Sequence, residues 1–460
     1  TGKGFYEKTK KKDANGKTII NALNLETLQY EPAIRPKIEL VKTAKAMGLM
    51  SKRLQYLVSG DSKEQNFFKD YFGTLLGYAA ARVPEISDQY YPLDDAMRTG
   101  YVWDFGPFEY WDLIGLERGM ELIKAQKGQI PQWILDLQAA GGTSFYKFEN
   151  GQKKYFNIQS KTYEPLPGTE SFILLDSYRE QAPVLKNSEC TVHDIGDGVL
   201  CLEFTSKSNS IGEGIGKGLH EAIELAEEGD WKGLVIGNNA KQFSVGANLM
   251  NIGMFAMQKQ FDELERFVDD FQKINMKIRT SKIPVVVSTQ GYVFGGGCEI
   301  SMHCDAGIYA AESYIGLVEV GVGLLPGGGG TKEFALRASD DFFEGDVQNP
   351  TLINYFKSIA TAAVSTSAYE AYDLGYLKKE RDFVCVNTPM NIGRAKDKVL
   401  ELAKNYMPPS SRTDVHVLGR GGMSVLYSAI NEFRLGEYMS DYDVEIARKV
   451  AHVICGGDLT

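Results

Sequence analysis

Two acidic residues stand in stretches that are otherwise rich in glycine or apolar. Glu299 follows three glycines at 295–297, and Glu319 lies in the apolar segment 314–325. A strand that runs through glycines into a helix leaves unhindered N–H groups at the helix N-terminus, where they can hold a developing anion. A lone carboxylate in an apolar segment is either paired or used in chemistry. These residues therefore suggest proton transfer beside a stabilised anion.

Hydrophobic patterns predict the elements that hold these residues. The β-branched run at 281–288 is typical of a buried strand, and residues 299–304 open a helix. A second strand at 233–237 ends in a polar loop, which turns at Gly246 into another apolar helix. This loop offers a second set of free N–H groups. The sequence thus predicts two separate bends that carry hydrogen-bond donors.

Three motifs resemble the crotonase (enoyl-CoA hydratase/isomerase) superfamily. They are F-S-V-G-A at 243–247, G-G-G-C-E at 295–299 and P-G-G-G-G-T at 326–331. The resemblance implies that the N–H groups of Ala247 and Gly296 form the oxyanion hole for a thioester carbonyl, and that Glu299 and Glu319 are the acid/base pair. Asn248 departs from the family pattern, because many hydratases have Asp after the G-A pair.

Hydration of a 2-enoyl thioester requires these parts. Negative charge builds on the carbonyl oxygen, and losing one of two rigid donors typically costs about 10²- to 10³-fold in rate. One carboxylate must take a proton from water, while another proton must reach the α carbon. We expect Glu299 to activate the water and Glu319 to supply the α proton.

Each feature also has a purely structural interpretation. A three-glycine turn is usually a tight connection, and an acid in the first turn of a helix usually complements the helix dipole. Glu319 alone could be the partner of a buried ion pair. The resemblance, rather than the spacing of the residues, favours the catalytic interpretation.

Further residues are candidates for contacting substrate or coenzyme A. They are Lys207, Asn209, Gly246, Asn248, Gly295 and Gly327. Residues 206–210 stand where crotonases carry an Asn-rich turn that touches CoA, although an exposed lysine there is more often only solvated. The helix expected at 261–278 is mostly core, with some positions walling an acyl pocket. We expect no metal site, since His303-Cys304 lacks partners at ligand spacing.

Composition sets the protein class. The 460 residues are 43% hydrophobic and 24% charged, and the net charge of −10 argues against nucleic-acid binding. Six scattered cysteines are expected to be buried free thiols in a reducing compartment, the cytoplasm. No apolar run approaches the length of a membrane helix, and no signal peptide is apparent. The chain starts without methionine, so we expect it to be a piece of a longer protein.

Residues 1–6 and 94–115 resemble the C-terminal helical part of 3-hydroxyacyl-CoA dehydrogenases, a likeness that covers about residues 1–140. The order of the two parts is similar to one class of bacterial multifunctional β-oxidation enzymes. No G-x-G-x-x-G motif occurs, and no His precedes His193. We therefore expect NAD to bind only in the full-length protein.

The predicted fold class is α/β, with a crotonase-type spiral of ββα repeats and C-terminal helices, preceded by an all-α dehydrogenase C-terminal domain. The predicted boundaries are 1–40 for a remnant of the dehydrogenase helical region, 41–145 for the helical domain, 146–185 for a hairpin and linker, and 186–460 for the crotonase domain.

The leading hypothesis is an enoyl-CoA hydratase that acts on an acyl-CoA substrate without a prosthetic group. One alternative is an enoyl-CoA isomerase. Another is a non-catalytic assembly module that docks a thiolase or a second copy of the chain.

Overall fold

The computed structural model describes residues 4–14, 16–33, 37–149, 152–179 and 181–459. The chain divides into two units. The first consists of Thr1–Lys147 with Tyr155–Glu164, and the second of Phe148–Lys154 with Pro165–Thr460.

The part of the chain before residue 166 contains two small sheets and seven helices among the described residues. The strands are β1 (Tyr6–Lys12), β2 (Thr18–Leu23), β3 (Tyr30–Pro32), β4 (Tyr146–Glu149), β5 (Gln152–Asn157) and β6 (Thr162–Pro165). The helices are α1 (Glu39–Ala46), α2 (Met50–Leu57), α3 (Lys63–Ile86), α4 (Tyr91–Tyr101), α5 (Pro107–Ile114), α6 (Leu116–Ala125) and α7 (Gln132–Ala139). The sheets have the orders β1-β2-β3 and β4-β5-β6.

The S-x-x-Q pattern of residues 62–65 predicts a capping box, and the long helix α3 begins there. The Ser62 hydroxyl accepts a hydrogen bond from the N–H of Gln65, whose side chain returns to the N–H of Ser62. Such a reciprocal cap typically contributes about 1 kcal/mol to helix stability. The sequence predicts that this helix ends at Pro84, because proline removes a backbone hydrogen bond, but α3 continues to Ile86.

An aromatic core fills the first unit. Tyr90 is fully buried and stacks on Trp133, with ring centroids 5.6 Å apart. Its hydroxyl donates to the carbonyl of Phe145 and accepts from the N–H of Phe156. Asp94 is also buried, and it accepts from the N–H of Phe108, which fixes the start of α5.

Two features of the first unit differ from the sequence prediction. Residues 1–40 were predicted to be a remnant of the dehydrogenase helical region, yet β1, β2 and β3 form an antiparallel sheet there. The lysines do not prevent a strand because β-geometry sends alternate side chains outward, and Gly16 closes the turn with a φ of 76°. The apolar pattern of residues 109–123 predicts one helix, but Gly115, with a φ of 107°, separates α5 from α6.

The second unit is built on a seven-stranded sheet. Its strands are β7 (Leu185–Lys186), β8 (Cys190–Asp194), β9 (Val199–Phe204), β10 (Gly233–Gly237), β11 (Val285–Phe294), β12 (Ala306–Gly316) and β13 (Asp382–Cys385). Its helices are α8 (Glu213–Glu228), α9 (Leu249–Met257), α10 (Phe261–Arg279), α11 (Gly296–His303), α12 (Gly330–Asp340), α13 (Asn349–Ala360), α14 (Ala368–Asp373), α15 (Asn391–Leu402), α16 (Gly419–Leu435) and α17 (Asp441–Ile454).

Strand order in this sheet follows chain order from β7 to β13. The strands from β9 onward pair in parallel, while β7 and β8 pair antiparallel to their neighbours. All five residues of β10 are buried, as expected for a parallel strand that is covered on both faces. The predicted α/β class with C-terminal helices is confirmed.

This topology brings three loops to one edge. The carboxyl ends of parallel strands lie at the same edge of a sheet, so the segments after β10, β11 and β12 become neighbours.

The six cysteines are buried and free, as predicted. Within the described ranges, no helix combines the length and the apolar character that a membrane crossing requires.

Candidate active site

The loops after β10, β11 and β12 surround a cavity of about 800 Å³. Its lining is mainly apolar and includes Phe267 and Val268 of α10 and Ile446 of α17. Glu299 and Glu319 both line this cavity. An apolar cavity with a few converging polar groups is the usual form of a small-molecule site.

Glu299 lies in the first turn of α11 and is 1% exposed. Its Oε1 accepts hydrogen bonds from the N–H groups of Gly328 and Gly330, each at 2.8 Å. Burial raises the pKa of Glu299 to about 7, although these two bonds favour the ionised form and oppose the rise. A carboxyl group with a pKa near neutrality is well suited to act as a general base.

Two amide side chains on α10 hold the glycine loop that binds Glu299. Gln272 donates to the carbonyl of Gly327 at 2.7 Å, and Asn275 donates to that of Gly328 at 2.8 Å. Neither residue was among the predicted site residues. Asn275 had a detectable signal in the sequence, because it is a polar residue within the apolar stripe of its helix. In the structure it is fully buried.

Glu319 begins a short 3-10 turn, Glu319–Val322. Its Oε2 is buried and has no hydrogen-bond partner among the described residues. Burial raises the pKa of Glu319 well above the ordinary value, and the charge of Glu299 raises it further. Two neighbouring carboxyls in one apolar cavity cannot both ionise at low cost, so Glu319 keeps its proton when Glu299 has lost its own.

The loop after β10 turns the N–H of Ala247 away from the neighbouring backbone segment at Ile211. The carbonyl of Gly246 accepts a hydrogen bond from the N–H of Ile211, and the backbone N–H of Asn248 donates to the carbonyl of Ile211, both at 2.9 Å. Peptide groups alternate in direction along extended backbone, so the N–H of Ala247 points to the opposite side. This N–H has no acceptor in the described part of the chain.

The bend after β11 lies against this loop. Gly295, with a φ of 50°, donates to the carbonyl of Gly316, and Gly296 begins α11. The N–H of Gly296 is a first-turn donor, which has no acceptor within its own helix. A Cβ added to Gly246 would lie 3.5 Å from the nitrogen of Gly296, so the two bends are in close contact.

The structure separates the other predicted contact residues into two groups. Gly246, Gly295 and Gly327 line the cavity. The remaining three do not appear in its lining: Lys207 is exposed, Asn209 is buried and donates to the carbonyl of Gln242, and Asn248 caps α9 by accepting from the N–H of Met250. The side chains of Asn209 and Asn248 therefore stabilise loops, and a ligand role for all six stays a prediction.

We expect Glu299→Gln to stabilise the protein more at high pH than at low pH. A carboxyl whose pKa is raised on folding adds stability below its unfolded pKa, near 4.5, and that stability is lost as the pH rises through about 7. The difference in free energy of unfolding between variant and wild type should grow by about 3 kcal/mol between about pH 4 and pH 8.5. Denaturant titrations across this range check it, and a constant difference would contradict the pKa argument.

Comparison with known proteins gives matches to both parts of the chain. Residues 194–343 match the family model for enoyl-CoA hydratase/isomerase. A Bacillus subtilis protein described as a 3-hydroxyacyl-CoA dehydrogenase is 35% identical over 457 residues, covering 99% of this chain and 56% of the relative. A Rickettsia felis protein described as a trifunctional enzyme of a fatty acid oxidation complex is 25% identical, covering 88% of this chain and 50% of the relative.

A crystal structure of an enoyl-CoA hydratase from Polaromonas sp. JS666 aligns with a TM-score of 0.40 at 16% identity, covering 57% of this chain and 90% of that chain. The chain spans about half the length of the curated relatives it matches.

Proposed function

Because residues 194–343 form a domain of the enoyl-CoA hydratase/isomerase family, we propose that this chain hydrates trans-2-enoyl-CoA to 3-hydroxyacyl-CoA in fatty-acid β-oxidation. One observation carries the proposal. Two carboxyl groups with different raised pKa values line the same apolar cavity as two backbone N–H groups that find no acceptor among the described residues.

The proposed reaction gives each group one task. The ionised Glu299 takes a proton from water while the water oxygen bonds to C3 of the substrate. The electrons of the C2–C3 double bond shift towards the thioester carbonyl, whose oxygen accepts hydrogen bonds from the N–H groups of Ala247 and Gly296. Glu319 then delivers its proton to C2. The net change is one water added, and a proton must pass from Glu299 back to Glu319 before the next turnover.

The raised pKa values support this division of labour. Glu299, with a pKa of about 7, is the group that ionises first and can act as the base. Glu319, with the more strongly raised pKa, keeps the proton that C2 needs. The apolar cavity walls suit the hydrocarbon part of an acyl group. They also exclude bulk water from the reacting groups.

An enoyl-CoA isomerase is the second candidate within the family. Moving a double bond between C3 and C2 can be done by one carboxylate, so the presence of two acids favours hydration. A non-catalytic assembly module is the candidate from another class. The buried Oε2 of Glu319 has no hydrogen-bond partner in the described ranges of the chain, and this argues against a non-catalytic module, because an unpaired buried polar group lowers stability.

The roles of the whole protein go beyond this chain. We propose a dehydrogenase activity that uses NAD only for the full-length protein, a thiolase as a candidate partner, homo-oligomers as a candidate assembly, and the cytoplasm as the location. The description of the Bacillus subtilis relative supports the dehydrogenase proposal, and that of the Rickettsia felis relative supports a role within a fatty acid oxidation complex.

Absorbance of the conjugated enoyl thioester tests the proposed reaction. Crotonyl-CoA should lose this absorbance when the protein is added, because hydration removes the double bond. A 3-enoyl-CoA should gain it if the protein isomerises, so the two substrates separate the two candidates. Loss with crotonyl-CoA supports hydration, gain with the 3-enoyl substrate alone favours the isomerase, and no change with either removes both.

A further inference from the structure

A buried histidine lies directly behind Glu299. His303 follows it by one turn of α11 and is 1% exposed. Its Nδ1 lies 2.6 Å from the backbone carbonyl oxygen of Glu299. A carbonyl oxygen can only accept a hydrogen bond, so Nδ1 carries the hydrogen and Nε2 is left as an acceptor.

Lys332 supplies the donor for that acceptor. Its Nζ lies 2.9 Å from Nε2 of His303, and an ammonium group can only donate. Lys332 stands in the first turn of α12, two residues after Gly330, whose N–H binds the Glu299 carboxylate. Hydrogen bonds therefore run in one direction from Lys332 through His303 to the backbone of Glu299, and Lys332 also lines the cavity.

The other charged groups near Lys332 leave one positive charge unbalanced. Its Nζ lies 2.9 Å from Oε1 of Glu333, and Arg279 pairs with the second oxygen of the same carboxylate. Burial lowers the pKa of His303 to about 3, so the ring is neutral.

Arg337 and Arg381 also face Glu333. Asp305 and Asp382 face the arginines of this group. Four cations therefore stand against three anions.

Charges on α17 do not alter this balance. Glu445 and Lys449 also line the cavity, but they pair with each other at 3.5 Å. Glu319 is held in its protonated form, so Glu299 is the remaining carboxylate that faces the excess positive charge.

We propose that Lys332, held in place by neutral His303, is a positioning residue that provides the counter-charge for ionised Glu299. It does not exchange protons with the substrate. Its charge favours the ionised form of Glu299 and so keeps the base available at neutral pH, in spite of burial. The ion pair of Glu333 with Arg279 gives Glu333 a partner of its own, so Lys332 is not needed merely to neutralise that residue.

Titration of Glu299 in charge variants tests this role. Carboxyl-stretch difference infrared spectroscopy, with Glu299→Gln to assign the band, gives the midpoint for Glu299 without any turnover. We expect Lys332→Gln to raise this midpoint by about one pH unit. Lys332→Arg keeps the charge and should keep the midpoint. Lys273→Gln, on the exposed face of α10 in an ion pair with Asp269, removes the same charge elsewhere and should also keep it.

The pH dependence of kcat/KM for crotonyl-CoA gives a second readout, which rests on the proposed function. Lys332→Gln should lose about tenfold relative to wild type at about pH 6 and recover most of the loss at about pH 9. Thermal unfolding checks that the variant is folded, and Lys332→Met serves as a second neutral replacement.

An unchanged Glu299 midpoint in a folded neutral variant would overturn the proposal, and so would an equal shift in Lys273→Gln. A wild-type protein that does not hydrate crotonyl-CoA would instead remove the proposed function. The infrared titration would then still report whether Lys332 acts on Glu299, so the two failures are distinguishable.

Discussion

Glu299→Gln is expected to lower kcat for crotonyl-CoA hydration by at least about 10³-fold, the upper part of the range for loss of a general base. Glutamine has nearly the same shape, and its amide oxygen can still accept from the N–H groups of Gly328 and Gly330. The loop therefore stays in place, but an amide cannot take a proton from water. Steady-state kinetics with the purified variant measure the loss.

A matched control separates this chemistry from a general effect of the substitution. Glu263→Gln makes the same change on the exposed face of α10, where Glu263 pairs with Arg266, and should keep the wild-type rate. KM for crotonyl-CoA should change little in Glu299→Gln, because the thioester contacts remain. A rate near that of wild type would refute the assignment of Glu299 as the base.

Gly246→Ala is expected to lower kcat/KM by about 10²-fold or more, the cost of losing one oxyanion donor. Gly246 has a φ of 91°, a conformation that residues with a Cβ rarely adopt. The added Cβ would also lie 2.9 Å from the carbonyl oxygen of Phe294. The loop must shift to relieve both problems, and the N–H of Ala247 moves with it.

Gly421→Ala is the control for this substitution. Gly421 lies within α16, and an added Cβ would meet no atom within 4 Å. Alanine is the better helix former by about 1 kcal/mol, so this variant should be at least as stable as wild type and equally active. If Gly246→Ala kept full activity, the bend after β10 would not carry the oxyanion donor.

Sequence alone predicted the parts of the fold that depend on local patterns. The capping pair of Ser62 and Gln65 fixed the start of α3, and the glycines before Glu299 predicted the start of α11. The apolar residues of 233–237 predicted β10. In each case the sequence signal and the element that it predicts lie within one short segment, so the prediction needs no knowledge of distant contacts.

The residues that support the candidate site could not be found in this way. Asn275 and Gln272 act on a glycine loop more than 50 residues away in the chain, and only the packing of α10 against that loop gives them their role. His303 was considered only as a metal ligand, because its partner Lys332 is brought close by the fold. The strands at residues 6–32 were missed because the run of lysines outweighed the alternation of side chains that is typical of a strand.

A crystal structure of the protein with 3-oxobutyryl-CoA, an unreactive analogue of the product, tests the central claim most directly. We predict that the thioester oxygen lies about 3 Å from the backbone nitrogens of both Ala247 and Gly296. The carboxyl groups of Glu299 and Glu319 should face C3 and C2 of the ligand. A thioester oxygen bound away from these two nitrogens, or carboxyl groups turned away from C2 and C3, would contradict the account.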